Sequence, residues 1–236
     1  LFERFSLQTP TQQAQTLRHA VLGTPIAAAP EPGQGEVSFG CGCFWGAEKG
    51  FWRLPGVVTT AVGYAGGPVP DPSYQQVCSG RTGHAEVVRV VWDRERLGLS
   101  DLLKLFWECH DPTQGDRQGN DRGSQYRSAI YAQTEADLAL ARASAQAYGA
   151  LLAQAGYGPI TTEVAEGKPF FFAEAYHQQY LAKPGSRPYC SAQPSGVPLG
   201  AFEGSAYLLP AVVWQSYDWT IPHCVLRGDN APISLP

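Results

Sequence analysis

The run Glu36-Val-Ser-Phe-Gly-Cys41-Gly-Cys43-Phe-Trp-Gly-Ala-Glu-Lys-Gly-Phe-Trp52 constrains this chain more than any other stretch. It opens as a short strand pattern. Past the glycine-flanked cysteines, Phe44, Ala47, Phe51 and Trp52 fall at helical spacings. Strand, glycine turn, helix is therefore the implied order, and it sets Cys43 near a helix N-terminus. Unpaired backbone N–H groups and the helix dipole favour negative charge there, so a thiolate, the reactive form of cysteine, is expected at position 43. The competing reading is a buried structural cysteine, because free cysteines are common core residues.

The remaining patterns divide between strand and helix. Val57-Val-Thr-Thr-Ala-Val-Gly-Tyr is a β-branched strand closed by Ala-Gly-Gly-Pro. His84-Ala-Glu-Val-Val-Arg-Val-Val-Trp-Asp is the strongest strand in the chain. Ser100 with Asp101 is placed to cap a helix over 102–109. A polar, Gly-rich loop over 111–125 leads into a strand over 128–132. The longest helix spans 134–154, with Leu138, Ala141, Ala145, Tyr148 and Leu152 in register. Strands follow near 160–165 and 170, then a short helix ending near 182.

Strands and helices do not alternate one to one, which favours α+β over a doubly wound parallel sheet. We expect a two-layer sandwich with a mixed, mainly antiparallel sheet. Residues 1–34 read as a loose arm, residues 35–182 as the catalytic domain, and residues 183–236 as an irregular tail rich in Pro, Gly and Ser.

Composition narrows the function. A net charge of −4 without a Lys/Arg cluster gives no electrostatic footprint for nucleic acid. No window reaches the roughly 18 consecutive apolar residues of a membrane span. The first 34 residues lack the basic start and apolar run of a secretory signal. Arg4 and Arg18 among scattered Ser and Thr are compatible with an organelle-targeting remnant. The compartment is therefore cytoplasmic or organellar (mitochondrion or plastid), and the start at Leu1 leaves N-terminal processing or truncation open. The six cysteines form no C-x-x-C pair, so zinc-ribbon and thioredoxin readings fail, and redox or nucleophilic chemistry at one or two thiols is the better reading.

Several blocks raise that reading to a family. Gly42-Cys43-Phe44-Trp45-Gly46-Ala47-Glu48 resembles the signature of peptide methionine-S-sulfoxide reductases of type A. Val62-Gly-Tyr-Ala-Gly-Gly, Thr82-Gly-His-Ala-Glu-Val-Val-Arg-Val, Phe106-Trp-Glu-Cys-His-Asp-Pro-Thr-Gln, the run from Arg117 to Tyr131 and His177-Gln-Gln-Tyr follow in family order. The resemblance covers residues 36–190 and implies a ferredoxin-like core. It implies Cys43 as nucleophile, Glu86 as an acid whose pKa is raised by apolar surroundings, and Cys190 as the resolving thiol. Phe44 and Trp45 would hold the substrate methyl, and Tyr74 and Tyr126 would donate to the sulfoxide oxygen. Asp121, His177, Tyr180 and Tyr189 match supporting positions. Attack would leave a sulfenic acid at Cys43, then a Cys43–Cys190 disulfide recycled by external thioredoxin, with no bound cofactor or metal. The substrate would be oxidised protein or free methionine sulfoxide, and the chain a monomer with neither nucleic-acid nor membrane partner.

Two departures stand out. Gly196-Val197 is followed by Pro198 where a third recycling cysteine is usual, and the tail from Leu199, with Cys224, matches nothing in the family. Cys41, Cys78 and Cys109 read as bystanders. A papain-like protease is the rival, since Cys41-Gly-Cys43-Phe-Trp faintly echoes its motif and His177 lies downstream at a suitable range. It lacks the small residue before the nucleophile, and Asn120 and Asn230 are poorly placed to orient His177.

Overall fold

The β-branched segments assemble into one sheet, and the apolar helix faces cover it. The computed structural model describes residues 8–220 and 228–235. In chain order the elements are α1 (Pro10–Ala14), β1 (Gln34–Cys41), α2 (Phe44–Trp52), β2 (Val57–Ala65), α3 (Tyr74–Cys78), β3 (Ala85–Asp93) and α4 (Leu99–Cys109). Then come the two-residue strands β4 (Arg117–Gln118) and β5 (Asp121–Arg122), followed by β6 (Ser128–Ala132), α5 (Glu135–Gln154), β7 (Glu163–Glu166), β8 (Phe171–Phe172) and α6 (Ala211–Trp214).

The main sheet has the order β7-β6-β1-β3-β2-β8. Its pairs are antiparallel except β6–β7, which are parallel and joined by α5 as a crossover. Within it, β1-α2-β2-β3-α4-β6 with spatial order β6-β1-β3-β2 is the expected ferredoxin-like, mixed and mainly antiparallel core. Val88, Val90 and Trp92 of β3 face the helix layer with Phe39, Val62 and Tyr64. Phe39 stacks between Phe51 of α2 (4.8 Å) and Phe106 of α4 (5.2 Å), which fixes both helices over the strand that delivers Cys43.

The opposite sheet face is covered too, which the sequence reading did not anticipate. Residues 9–33, expected to hang loose, lie along it: Ala14 and Ile26 are buried against Ala61. On the same face the Arg89 guanidinium donates to the Ile26 and Ala28 carbonyls and pairs with Glu36. Helix α4 begins at Leu99 with Gly98, not Ser100, as its cap residue. Asp101 receives the Gly98 N–H at 3.0 Å, so its role is that of the third helical residue reaching back. The strand expected near 160–165 starts only at Glu163, because Thr161 gives its N–H to the Pro112 carbonyl instead of to the sheet.

Beyond Lys183 the described residues are irregular apart from α6, yet they pack closely. Asp101 accepts the N–H groups of Leu208 and Leu209, and Glu108 accepts that of Leu199 at 2.6 Å. Trp52 donates to the Asn230 carbonyl and Tyr217 to that of Gly50, so the tail is strapped across α2 and α4. Cys224 lies outside the described residues. Among the described residues no helix is long and apolar enough to cross a membrane.

Candidate active site

Gly42 makes the site possible. Its φ is +84°, and a Cβ there would lie 2.6 Å from the Gln118 Cβ, so only glycine lets the chain leave β1 and turn into α2. Cys43 then occupies the cap position of α2, as the sequence pattern implied. The N-terminal amides of this helix are divided between two groups. The Phe44 N–H donates to Glu86 Oε2 at 3.1 Å, and the Trp45 N–H points at the Cys43 sulfur. Glu86 projects from β3, opposite Tyr64 of β2, as the polar end of an otherwise apolar row.

The electrostatics run against one expectation. Burial, reinforced by the nearby Glu86 carboxyl, pushes the Cys43 thiol well above its ordinary value, and the Trp45 N–H only partly opposes this. A resting thiolate is thus replaced by a neutral thiol: desolvation in a site where Cys43 is 8% exposed outweighs one helix end. Glu86 is shifted in the same direction. Burial raises its pKa to about 8, so it keeps its proton at neutral pH.

Around this pair the expected side chains converge. Trp45 donates its indole N–H to His177 Nδ1 at 3.0 Å and stacks on Tyr180 at 3.8 Å between ring centres. Tyr189 meets the Trp45 ring edge-on, at 6.3 Å between centres, and donates to Asp121 Oδ1 at 2.6 Å. Phe44 and Tyr74 both lie against the His177 ring, at 5.2 and 4.6 Å. Tyr126, half-buried, feels the charges of Glu86, Asp121 and Cys43. In the resting site the Tyr74 hydroxyl donates to the Cys78 sulfur. His177 is buried and its pKa falls to about 4, so the ring is neutral. Since the indole can only donate, His177 carries its hydrogen on Nε2, which has no partner among the described residues, like Asp121 Oδ2.

Cys190 is near enough to Cys43 that charge on one disfavours charge on the other. It is buried, not free on a tail: Gln118 Oε1 receives the Gln193 N–H at 2.9 Å, and the Ser191 side chain lies against Gly42. Burial raises the Cys190 thiol to about 12. Five described cysteines, including both of these, are free thiols.

Sequence reasoning missed two carboxylates. Glu174 takes the Tyr64 hydroxyl at 2.9 Å and the Tyr74 N–H at 2.8 Å, tying α3 to the site. Glu48, a buried residue of α2, holds Gln179 through both its backbone and side-chain N–H groups. Glu48 stood within the signature run, but nothing in the pattern indicated its partners.

What the fold brings together is a buried thiol and a buried carboxyl group that keeps its proton at neutral pH. The model of one family, peptide methionine sulfoxide reductase, matches residues 35–198, and the chain belongs to that family. It is 58% identical over 183 residues to a peptide methionine sulfoxide reductase of Salinispora arenicola, covering 76% of this chain and 82% of that one. The solved methionine sulfoxide reductase A of Corynebacterium diphtheriae superposes with a TM-score of 0.69 at 46% identity, over 77% of this chain and 88% of that one. The reduced form of Mxr1 from Saccharomyces cerevisiae gives 0.63 at 34% identity, over 70% and 93%. Residues 199–236 lie beyond the family match.

Proposed function

We propose that this chain reduces methionine-S-sulfoxide, protein-bound or free, with Cys43 as nucleophile, Glu86 as proton donor and Cys190 as resolving thiol. The observation that carries the reading is Glu86: a buried carboxyl group, protonated to about pH 8, on the amide next to the candidate sulfur. Phe44 and Trp45 receive the substrate methyl against their rings. Tyr126 steadies the sulfoxide oxygen, joined by Tyr74 once substrate competes with Cys78. Asp121, His177, Tyr180 and Tyr189 hold Trp45 and the surrounding wall in place.

Glu86 protonates the sulfoxide oxygen as the Cys43 sulfur attacks the sulfoxide sulfur, and the new carboxylate takes up the thiol proton. The oxygen passes to Cys43, giving a sulfenic acid and releasing methionine. Cys190 then attacks the Cys43 sulfur, water leaves, and a disulfide forms. An external dithiol protein of the thioredoxin type restores both thiols by exchange. The catalytic unit spans residues 35–182, acts as a monomer, and draws Cys190 from the segment that follows.

The test is thiol counting. One equivalent of methionine-S-sulfoxide, without reductant, removes two thiols per molecule, and Cys43→Ser removes none. Loss of one thiol only would exclude Cys190 as the resolving group, and no loss from folded protein would end the assignment. The mirror-image sulfoxide is spared, and equal rates on both would contradict a site with fixed methyl and oxygen positions.

A further inference from the structure

Beneath the turn that carries Cys43 lies a second group of thiols that the proposed reaction does not use. Cys41 ends β1, Cys109 ends α4, and His110 follows it, with their sulfur and nitrogen atoms all within 4.8 Å of one another. All three are buried. The cluster has the residue types of a metal site, but the histidine is already committed. His110 Nδ1 lies 2.7 Å from the Phe106 carbonyl, which can only accept, so Nδ1 carries the hydrogen. Its Nε2 is the acceptor, 2.8 Å from the Ser128 hydroxyl. What is left is a dithiol, with the Nδ1–H 3.8 Å from the Cys109 sulfur.

This dithiol borders the candidate active site. Cys41 is separated from Cys43 only by Gly42, against which the side chain of Ser191, next to Cys190, is packed. Gln118 holds both sides together, donating to the Asp111 carbonyl just after His110 while receiving the Gln193 N–H. Cys109 in turn lies within electrostatic reach of Cys190. Electrostatic reach thus links Cys43 to Cys190 and Cys190 to Cys109, and Cys109 lies within 4.8 Å of Cys41.

We propose that Cys41 and Cys109 form a reserve dithiol that takes over the disulfide from Cys43 and Cys190, so that one reduced molecule converts two sulfoxides before it needs external reductant. The inference rests on the proposed role of Cys43. Cys109 attacks the Cys190 sulfur of the Cys43–Cys190 disulfide, Cys43 departs as a thiolate and takes the proton Cys109 has lost. Cys41 then attacks the Cys109 sulfur, and Cys190 departs and is protonated. Cys41 and Cys109 have lost two electrons and two protons, and Cys43 and Cys190 have regained them. Bonding requires sulfurs at about 2.05 Å, so the two side chains must rotate toward each other. The hydrogen bond with Cys41, and then burial, raise the Cys109 thiol and make this transfer slower than the first turnover.

Reduced, desalted full-length protein is mixed with a ten-fold excess of a peptide bearing methionine-S-sulfoxide, without reductant. Two methionines form per molecule, the second in a slower phase, and four thiols disappear. Peptide mapping finds a Cys41–Cys109 disulfide. Cys41→Ala and Cys109→Ala, each checked for native circular dichroism, stop at one methionine. A single methionine from the unaltered chain, with Cys41 and Cys109 still open to alkylation, overturns the reserve while leaving Cys43 as nucleophile intact. Two methionines with a disulfide that excludes Cys41 or Cys109 also overturn it. No methionine at all refutes the underlying reading instead.

Discussion

Two buried glutamates meet at α2, Glu86 from β3 at its N-terminus and Glu48 from the helix itself, and their difference separates chemistry from architecture. Both are fully enclosed, and burial raises both, Glu86 to about 8 and Glu48 to about 7. Glu86 accepts one hydrogen bond, from the Phe44 amide. Glu48 accepts three, from the Thr60 hydroxyl at 2.9 Å, the Gln179 amide at 2.8 Å and the Gln179 side chain at 2.7 Å. Each donor favours the carboxylate, which is why Glu48, though as deeply buried, is the stronger acid. A carboxyl group with few donors stores a proton. One wrapped in donors ties elements together.

The largest expected effect follows from removing the stored proton. In Glu86→Gln the amide oxygen still receives the Phe44 N–H, so the fold is kept, while the first-turnover rate falls by about 10²–10⁴, the usual contribution of a positioned acid. Rapid-quench measurement of methionine release checks this, and a fall of less than about ten-fold would move the proton donor to another group. The pH profile sharpens the contrast. Activity drops as pH rises through about 8, where Glu86 ionises, and Glu86→Gln loses that limb.

Stability carries the same signature. Glu86 holds its proton to about pH 8 when folded, against an ordinary value of 4.5 for an exposed group. Between those limits the unfolded chain binds fewer protons than the folded one, so the native state is most favoured below 4.5 and loses stability as pH rises toward 8. At about 1.4 kcal/mol per unit of separation, denaturant titrations across this range will resolve the slope. Glu86→Gln flattens the slope up to about 8, whereas Glu48→Gln flattens it only up to about 7. Identical slopes in both variants would erase the distinction.

The residues that were readable in the sequence are those whose signal is local or carried by a family block. β6 lies where the apolar run over 128–132 put it, and α5 starts one residue after its cap, Thr134. Cys43 and Glu86 were marked by their blocks, and the aromatic wall came with them. Long-range hydrogen bonding was not readable. Glu48 meets Gln179 from 131 positions away, and Glu174 meets Tyr74 from 100, with no periodicity to betray either. The packing of residues 9–33 and of the described tail was not readable for the same reason. Both are held by side-chain bonds to backbone, from Arg89, Asp101 and Trp52, rather than by any repeating pattern. The charge on Cys43 failed differently: a helix end is a local clue, and burial is not.

Glu48→Gln should show the architectural side of the comparison. Its amide nitrogen is a donor where Gln179 presents only donors, so at least one buried bond is lost, costing about 1–3 kcal/mol. Gln179 is left-handed, with φ at 48°, and depends on Glu48 to stay so. The turn it anchors sets His177 and Tyr180 against Trp45. Substrate binding therefore suffers more than chemistry, seen as a rise in KM that exceeds the fall in kcat. The reverse split would place Glu48 among the reacting groups.

Thr60→Val is the mildest probe and the most specific. The Thr60 hydroxyl has one hydrogen, which it gives to Glu48, so it must accept from His19 Nε2, 2.9 Å away. His19 Nδ1 receives the Val21 and Leu22 amides, which fixes the hydrogen on Nε2 and links the N-terminal segment to the turn at Gln179. Valine keeps the shape, removes both bonds and leaves the His19 Nε2–H without its acceptor, costing about 1–3 kcal/mol, and raises the Glu48 pKa further because one donor to its carboxylate is gone. Glu86 has no part in this chain, so its activity limb near pH 8 stays where it was while the Glu48-dependent part of the stability slope extends upward. A shift of both together would mean that the two carboxyl groups titrate as one coupled unit across α2.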